Sequence, residues 1–257
     1  MVFPLFLIRH LVARSSHAQL AKFMLTRFLK NFGTRYLNRK GKCVERYPLL
    51  QYLEQFNVDC VLDVGANVGQ YATSLRSLGY KGRIESFEPL SSAYEKLVKL
   101  ADKDPLWNTH HMGLGSETSE LEINVSENSA TSSFLPIADG VDLKKVGLNY
   151  TKQESVQVNR LDDVYQEICQ DAKNVFLKID TQGFEGQVLN GGWNAIESFR
   201  GLQVEVSLSP IYEGEVLLEE MFSLVKSHGL TPFWLQNGFR DAKSMQLLQV
   251  DAFFFRP

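Results

Sequence analysis

Short apolar runs alternate along the chain with segments whose apolar residues recur at helical spacing. The strand-like runs include VDCVLDV, RIESFEP, NVFLKID and GLQVEVSL, and the helix-like segments include SSAYEKLVKLADK and EVLLEEMFSLVKSHG. Strands that are apolar on both faces and alternate with helices predict a parallel, doubly wound α/β sheet. The final run, VDAFFFR, follows TPFWLQ after a short connection, so we expect the last strand to run antiparallel.

Two parts of the chain depart from this alternation. After a third strand-like run, LWNTHHMGL, short strands are predicted at residues 120–125, 131–137 and 155–159, separated by Ser, Asn and Gly. Near the start, residues 18–37 have helical periodicity with basic flanks. We therefore predict a basic helical extension over residues 1–46 and a single domain over residues 47–257.

Charge is distributed unevenly between these two parts. The first 46 residues hold ten Lys or Arg and one acid, Glu45, which gives +9, and the net charge of −3 leaves −12 for the remainder. A body this acidic is poorly suited to binding nucleic acid. The extension is either an accessory helix that caps the domain or a basic amphipathic helix that rests on an anionic membrane surface.

The cysteines and the apolar runs bear on the compartment. Cys43, Cys60 and Cys169 are scattered without a Cys-x-x-Cys pair, which favours a reducing compartment over a disulfide framework or a zinc site. No run approaches the roughly 18 apolar residues of a membrane span, and the first residues lack a secretory pattern. We expect a cytoplasmic protein, membrane-peripheral if the basic helix binds lipid. No feature of the sequence indicates an oligomeric state.

The stretch VLDVGANVGQY predicts a ligand-binding loop between a strand and a helix. A dinucleotide fingerprint needs glycines at its first, third and sixth positions, but counting from Gly65 the last two are Asn67 and Gln70. A triphosphate loop needs a Gly-Lys-Ser/Thr ending, which is missing here. Gly65, Asn67 and Gly69 tolerate left-handed backbone angles, so a ligand could lie against bare backbone.

The next strand ends in a second acid, Glu88, which can accept hydrogen bonds from both hydroxyls of a ribose. Such an acid alone indicates only a nucleoside. With no phosphate to neutralise, Asp63 is tolerable in the loop and can support the amino-acid end of a sulfonium ligand. Together these residues point to S-adenosylmethionine as the cofactor.

In content and order, several motifs resemble the FkbM family of class I S-adenosylmethionine-dependent methyltransferases over roughly residues 47–257. The motifs are DVGANVGQY, FEP, LKIDTQGFE, QVEVSLSPIYEGE and VDAFFFR. The resemblance implies a Rossmann-like seven-stranded sheet of order 3-2-1-4-5-7-6 with one antiparallel strand. It also implies methylation of hydroxyl groups, often on sugars, glycans or secondary metabolites.

The resemblance also assigns roles to individual residues. It gives the cofactor loop to Asp63, Gly65, Asn67 and Gly69, and the ribose position to Glu88. The stretch HHMGLGSE corresponds to the region that contacts adenine, where Leu114 is the candidate, and ENSATSSF lies near the cofactor. Many members read Asp-Val-Glu-Gly where this chain reads DTQG, so a carboxylate role does not transfer to Gln182.

Methylation of a hydroxyl requires alignment of the reacting groups and help in removing a proton, from a base or a metal ion. Asp180 ends a predicted strand beside the expected cleft and is the first choice for a base or a substrate contact; its alternative role is to cap the following turn. Lys178 and Glu205 are charges within apolar strands, where an unpaired charge is costly. We expect these two to pair or to meet at the strand ends, whether for catalysis or for structure.

The remaining candidates concern the acceptor and a metal. Glu185 is expected to open the helix after Asp180, and Tyr212 lies on the loop after the next strand, where acceptors are commonly recognised; Tyr212 could equally be a packing residue. A divalent metal on Asp180 and Glu205 is an alternative that the sequence does not favour, and no metal ligands are assigned.

We therefore expect an O-methyltransferase that acts on a hydroxyl of a sugar, a glycan or a glycosylated metabolite, with a small molecule or a glycan as its acceptor. The alternatives are an N- or carboxyl-methyltransferase, which would use the same cofactor site, and a partner subunit that binds the cofactor without catalysis. A nicotinamide oxidoreductase fails on the glycine spacing.

Overall fold

A run of parallel strands with helices on both faces dominates the computed structural model, which describes residues 48–141, 148–169, 171–241 and 244–257. The predicted basic extension and its helix at residues 18–37 lie outside the described residues, so the domain boundary at residue 46 stays a prediction. From Leu49 onward, the described residues form one compact unit.

Ten strands and seven α-helices are defined in the described ranges. The strands are β1 Cys60–Val64, β2 Arg83–Phe87, β3 Trp107–His110, β4 Gly113–Leu114, β5 Ser119–Ser126, β6 Tyr150–Asn159, β7 Val175–Ile179, β8 Gly201–Ser207, β9 Thr231–Asn237 and β10 Gln249–Phe255. The helices are α1 Leu49–Gln55, α2 Gln70–Leu78, α3 Ser91–Ala101, α4 Leu161–Cys169, α5 Glu185–Asn190, α6 Trp193–Ile196 and α7 Leu218–Ser227, with a 3-10 turn at Ser129–Thr131.

The central sheet has seven strands in the order β3-β2-β1-β7-β8-β10-β9. All neighbouring pairs are parallel except those of β10, which runs antiparallel to both β8 and β9. Numbered by their order within this sheet, the strands read 3-2-1-4-5-7-6. The predicted Rossmann-like fold and its antiparallel last strand are therefore confirmed.

Alternate residues of the central strands pack into two cores on opposite faces of the sheet. On one face, Val61 and Phe176 pack with Leu75 and Leu97 from α2 and α3. On the other face, Leu62, Leu177 and Leu202 pack with residues from α4, α5 and α7. Because both faces are covered, all five residues of β1 and of β7 are buried, which explains why these strands are apolar except for Asp63 and Lys178.

A second, three-stranded sheet of order β4-β6-β5 lies in the middle of the chain and corrects two expectations. The predicted strand LWNTHHMGL is split, since β3 ends at His110 and Gly113–Leu114 pairs with β6 instead. The strand predicted at residues 131–137 is wrong: that segment makes only isolated bridges, from Ser133 to Asn124 and from Ile137 to Tyr212. Instead of a continuous ladder, the Ser133 hydroxyl donates to the backbone carbonyl of Gln182 and accepts from the backbone N–H of Leu135. β6 is longer than predicted and begins at Tyr150.

No helix in the part of the chain that the structure describes has the length and apolar character needed to cross a membrane.

Candidate active site

The candidate residues gather at the carboxyl ends of β1, β2, β7 and β8, the edge where ligands bind in open α/β sheets. The register between β1 and β7 places Asp63 opposite Lys178, and the register between β1 and β2 places it opposite Ser86. The loops that follow these strands therefore meet at one end of the sheet.

The glycine loop has the left-handed backbone that its sequence predicts. The φ angle is 73° at Gly65, 48° at Asn67 and 90° at Gly69, which precedes the first residue of α2. A Cβ at Gly65 would overlap the carbonyl oxygen of Asp180 and lie 2.9 Å from its carbonyl carbon. Gly65 therefore allows the backbone after β7 to approach the loop, a purpose that the sequence did not reveal.

Glu88 lies at the end of β2 and supports the same loop. Its Oε2 accepts a hydrogen bond from the backbone N–H of Asn67 at 2.8 Å, and its Oε1 accepts one from Leu90 at 2.9 Å. Burial raises the pKa of Glu88 to about 7. Each carboxylate oxygen has a further lone pair, so the group can still accept from a ribose hydroxyl.

Asp63 and Lys178 form a buried ion pair below the loop, with Oδ1 and Nζ 3.0 Å apart. Lys178 Nζ also donates to the carbonyl oxygens of Val64 at 3.3 Å and Gly65 at 3.1 Å. Although burial of the ammonium lowers its pKa, the carboxylates of Asp63 and Asp180 raise the pKa of Lys178 above its ordinary value. The lysine therefore ties the cofactor loop to β7 as a cation.

This pair bears on two expectations. Asp63 is completely buried in the structure and acts on the loop through Lys178, and a direct contact of its carboxylate with the cofactor stays a prediction. Lys178 and Glu205 form no direct ion pair, since Lys178 bonds to Asp63, but both meet at the strand ends around Asp180, which was the other form of the prediction. The register explains the difference, because Lys178 is opposite Gln203 on β8, two residues before Glu205.

Asp180 follows β7 directly and is the accessible carboxylate of the group. Its side chain is 37% exposed, against 5% for the neighbouring Lys178. Its backbone N–H donates to the carbonyl of Val64 at 3.1 Å, which keeps it beside the cofactor loop. Its Oδ1 accepts from the side-chain amide of Gln182 at 2.9 Å. The position suits a base or a substrate contact.

Gln182 is a central residue of the site that sequence reasoning missed. Its Nε2 donates to Asp180 Oδ1 at 2.9 Å and to Glu205 Oε2 at 2.8 Å. Its Oε1 accepts from the hydroxyl of Tyr212 at 2.9 Å. The available signal in the sequence is the polar residue two positions after Asp180, where many family members have a carboxylate.

Glu205 is held between two amides, since its Oε2 also accepts from Gln249 Nε2 at 3.0 Å. Burial, together with the negative charges of Asp180, Glu185 and Asp251, raises the pKa of Glu205 well above its ordinary value. This end of the sheet is thus rich in carboxylates, with Lys178 as the cation among them.

Glu185 and Tyr212, the residues predicted to contact the acceptor, are both buried in the structure. Glu185 opens α5, as expected, and its Oε1 accepts from the backbone N–H of Thr181 at 2.7 Å; burial raises its pKa to about 7. Tyr212 packs against Gly183 and donates to Gln182. Both therefore shape the loop after β7 from below, and a direct contact with the acceptor stays a prediction.

The remaining predicted positions are Leu114 and the serine-containing segment. Leu114 is 2% exposed and packs in the core, so its side chain is not presented to an adenine in this structure. The serine-containing segment does reach the site: Ser129 donates to Asn67 Oδ1 at 3.1 Å, and Ser133 donates to the carbonyl of Gln182 at 2.6 Å. Within the described residues, no group of three or more His, Cys, Asp or Glu is placed to hold a metal ion.

Comparison with known proteins decides the family. The model of the methyltransferase FkbM domain matches residues 63–232, about two thirds of the chain, and includes Asp63, Glu88, Asp180 and Tyr212. The chain belongs to the FkbM family. Its seven-stranded sheet has the class I methyltransferase fold that this family implies.

Relatives of this FkbM protein are distant. "Methyltransferase 1" of Beauveria bassiana (strain ARSEF 2860) is 25% identical over 154 residues, which cover 54% of this chain and 61% of the relative. "2-O-methyltransferase NoeI" of Sinorhizobium fredii (strain NBRC 101917 / NGR234) is 24% identical over 187 residues, 66% of this chain and 72% of the relative. The first match thus spans less than two thirds of the relative's length.

A solved structure of the family shares the fold. The crystal structure of methyltransferase FkbM from Methylobacillus flagellatus KT is 17% identical and superposes with a TM-score of 0.52. The superposition covers 77% of this chain and 44% of that one. At this identity the likeness supports the fold alone.

Proposed function

We propose that this FkbM protein transfers the methyl group of S-adenosylmethionine to a hydroxyl group of a sugar, a glycan or a glycosylated metabolite. The observation that carries the proposal is the position of Asp180. Its side chain is 37% exposed, and its backbone packs directly against Gly65 of the cofactor loop. A base at this position would face an acceptor bound beside the cofactor loop.

The residues of the glycine loop fit the cofactor. Gly65 and Gly69 adopt positive φ without strain, Asn67 belongs to a residue type that tolerates it, and Glu88 supplies a carboxylate with free lone pairs for the ribose. When bound, S-adenosylmethionine supplies a methyl group on a sulfonium, which is a good leaving group. The task left to the protein is to align the acceptor oxygen and to remove its proton.

Asp180 is the proposed base. With the methyl donor bound, Asp180 would accept the proton that the acceptor hydroxyl releases. Lys178, 3.7 Å away, places a positive charge beside the carboxylate, and Gln182 fixes its orientation by a hydrogen bond. The proton is therefore taken up by a group that is held in one place before the acceptor arrives.

Two observations favour a hydroxyl acceptor. Asp180, Glu205 and Asp251 lie at one end of the sheet, and carboxylates and amides are the groups that hydrogen-bond a hydroxyl-rich ligand. The name of the rhizobial relative, 2-O-methyltransferase, describes methylation at oxygen in that protein. The acidic surroundings would also suit an amine, so an N-methyltransferase is the second candidate.

The test is methyl transfer from radiolabelled S-adenosylmethionine to matched acceptor sets: neutral mono- and oligosaccharides, amines, and carboxylic acids. We expect label in the saccharides, and a loss of at least about 100-fold in turnover for Asp180→Asn with unchanged binding of S-adenosylhomocysteine. Label only in amines or acids would contradict the acceptor, and unchanged turnover in Asp180→Asn would remove it as the base. Binding of S-adenosylhomocysteine without transfer to any set would favour the partner-subunit alternative.

A further inference from the structure

The loop after β7 contains an amide at a place where two carboxylates converge. Asp180 Oδ1 and Glu205 Oε2 both point at the Nε2 atom of Gln182, at 2.9 and 2.8 Å. Two carboxylates held this close repel each other unless a positive or hydrogen-bonding group lies between them. A protein amide nitrogen carries two hydrogens, so Gln182 can donate one to each carboxylate.

The orientation of this amide is determined by its neighbours. A carboxylate only accepts, which requires the nitrogen of Gln182 to face Asp180 and Glu205. The opposite atom, Oε1, then accepts from the hydroxyl of Tyr212, which is buried under the loop. Both N–H donors and the oxygen of the side-chain amide are engaged in this arrangement, so a flip would break three hydrogen bonds.

The backbone of Gln182 is also constrained. Its φ of 55° lies in the left-handed region, which costs a residue with a side chain about 1–3 kcal/mol and persists only where the surroundings enforce it. The hydroxyl of Ser133, a completely buried residue, donates to the Gln182 carbonyl at 2.6 Å. The surrounding contacts therefore hold a strained backbone in a conformation that keeps the Gln182 side chain between the two acids.

We propose that Gln182 is the positioning residue of the candidate base: its amide occupies the place that a bound cation would take between Asp180 and Glu205. The proposal rests on the proposed function for the role of Asp180 as the base. Gln182 holds Asp180 at the cofactor loop and replaces a metal ion in screening the two carboxylates from each other. A glutamate at this position would convert the bridge into three convergent carboxylates, a set of oxygen ligands that suits a divalent cation.

The variant Gln182→Glu tests this directly, with Mn²⁺ as the probe and electron paramagnetic resonance or calorimetry as the readout. We expect the variant to bind Mn²⁺ about tenfold or more tightly than the wild-type chain, because a third carboxylate joins the pair. The matched control is Gln203→Glu. Gln203 also accepts from a tyrosine, Tyr71, and donates to an acid, but only to Asp251, so its substitution gathers two carboxylates rather than three.

The readouts separate the assignment from the proposed function. Equal Mn²⁺ affinity in the wild type, Gln182→Glu and Gln203→Glu would overturn the assignment of Gln182, whatever the cofactor result. Gln182→Glu could bind Mn²⁺ more tightly than the other two chains while the wild type does not bind S-adenosylhomocysteine. That result would contradict the proposed function but support the bridging role of the Gln182 amide. If Gln182→Glu does not fold, the wild type still decides: tight Mn²⁺ binding that Asp180→Asn abolishes would show that a cation, not the amide, bridges the acids.

Recovery of methyltransferase activity on addition of Mn²⁺ provides a further readout. This recovery would not occur if Gln182 had only a structural role. In the saccharide assay, Gln182→Glu without metal should lose activity through kcat rather than KM, since the base is displaced while the acceptor surface is kept. Added Mn²⁺ should restore at least part of this loss in Gln182→Glu and leave the wild type unchanged. A loss that Mn²⁺ does not relieve, although Mn²⁺ binds, would contradict the positioning role.

Discussion

Replacing Gly65 by alanine probes the packing between the cofactor loop and the strand that carries the candidate base. The substitution adds a Cβ that overlaps the carbonyl group of Asp180, which is backbone and cannot rotate away. It also forces a side chain into a φ of 73°. The structure offers a matched control in Gly214, which has the same φ of 73° and nothing within 4 Å of its Cβ position.

The two variants separate the conformational cost from the overlap. A left-handed backbone costs a residue with a Cβ about 1–2 kcal/mol, and this term is common to both variants. Overpacking against fixed atoms adds about 1–3 kcal/mol, and this term applies to Gly65→Ala alone. We therefore expect Gly214→Ala to lower the free energy of unfolding by about 1–2 kcal/mol and Gly65→Ala to lower it by about 2–5 kcal/mol.

The assay is urea unfolding followed by tryptophan fluorescence, with binding of S-adenosylhomocysteine measured by calorimetry on the same samples. Because the overlap separates Asp180 from the loop, Gly65→Ala should also weaken cofactor binding about tenfold or more, equivalent to 1.4 kcal/mol. Gly214→Ala should leave that affinity unchanged. Free energies of unfolding that agree within about 0.5 kcal/mol for the two variants would refute the close approach of the two loops.

Three further predictions concern the buried charges and the extension. Lys178→Met should lower the free energy of unfolding by about 3–5 kcal/mol in urea titrations, because it leaves the buried carboxylate of Asp63 without its ion-pair partner. The exposed pair of Lys152 with Glu154 is the control, and Lys152→Met should cost less than about 1 kcal/mol. The pKa of Glu185 is raised from 4.5 to about 7 in the folded chain, so its contribution to stability is lost as the pH rises through this range. Glu185→Gln, which keeps an acceptor for Thr181, should reduce that loss in melts between these pH values. Deletion of residues 1–40 should abolish co-sedimentation with anionic vesicles if the basic extension binds membranes.

Each of these has a clear contrary outcome. Equal losses for Lys178→Met and Lys152→Met would mean that the Asp63 pair is not buried in solution. A pH dependence of melting that Glu185→Gln leaves unaltered would show that this carboxyl keeps an ordinary pKa. Unchanged sedimentation of the truncated chain would leave the extension with the role of an accessory helix.

The topology of the fold could be predicted because it depends on patterns that are local in sequence. Both faces of β1 and β7 are buried, so their apolar runs are unmistakable, and the alternation with helices fixes a parallel sheet. The strand predicted at residues 131–137 is wrong because the hydrogen-bond partners of this segment are not visible as a local pattern. Ser133 and its neighbours bond to side chains and to the loop after β7, and such partners leave no periodic signal.

The location of the site followed from the fold, but the partners of its side chains did not. Asp63, Glu88 and Asp180 were placed correctly at strand ends, where the carboxyl edge of a parallel sheet gathers ligand-binding groups. The ion-pair partner of Lys178 depends on the register of β7 against β1 and β8. Residues 115 positions apart in the chain meet there, and a shift by one residue would reverse the face of every side chain.

The glycines show the same limit in another form. Sequence reasoning assigned Gly65 to close approach of a ligand, whereas in the structure the nearest group is the backbone of Asp180. Similarly, the role of Gln182 could not be read from DTQG, because it arises from Glu205 and Tyr212, which lie 23 and 30 residues away in the chain. A residue's type and its position on a loop indicate what it can bond to, and only the tertiary structure supplies the partner.

Binding of S-adenosylhomocysteine to the full chain tests the proposed cofactor site most directly. Titration calorimetry should give one site per chain with a Kd below about 1 mM in the wild type. Glu88→Ala should weaken it about tenfold or more, since it removes both the support of the Asn67 backbone and the ribose acceptor. No heat from the wild type at that concentration, or an affinity that Glu88→Ala leaves unchanged, would contradict the assignment of this loop to the cofactor.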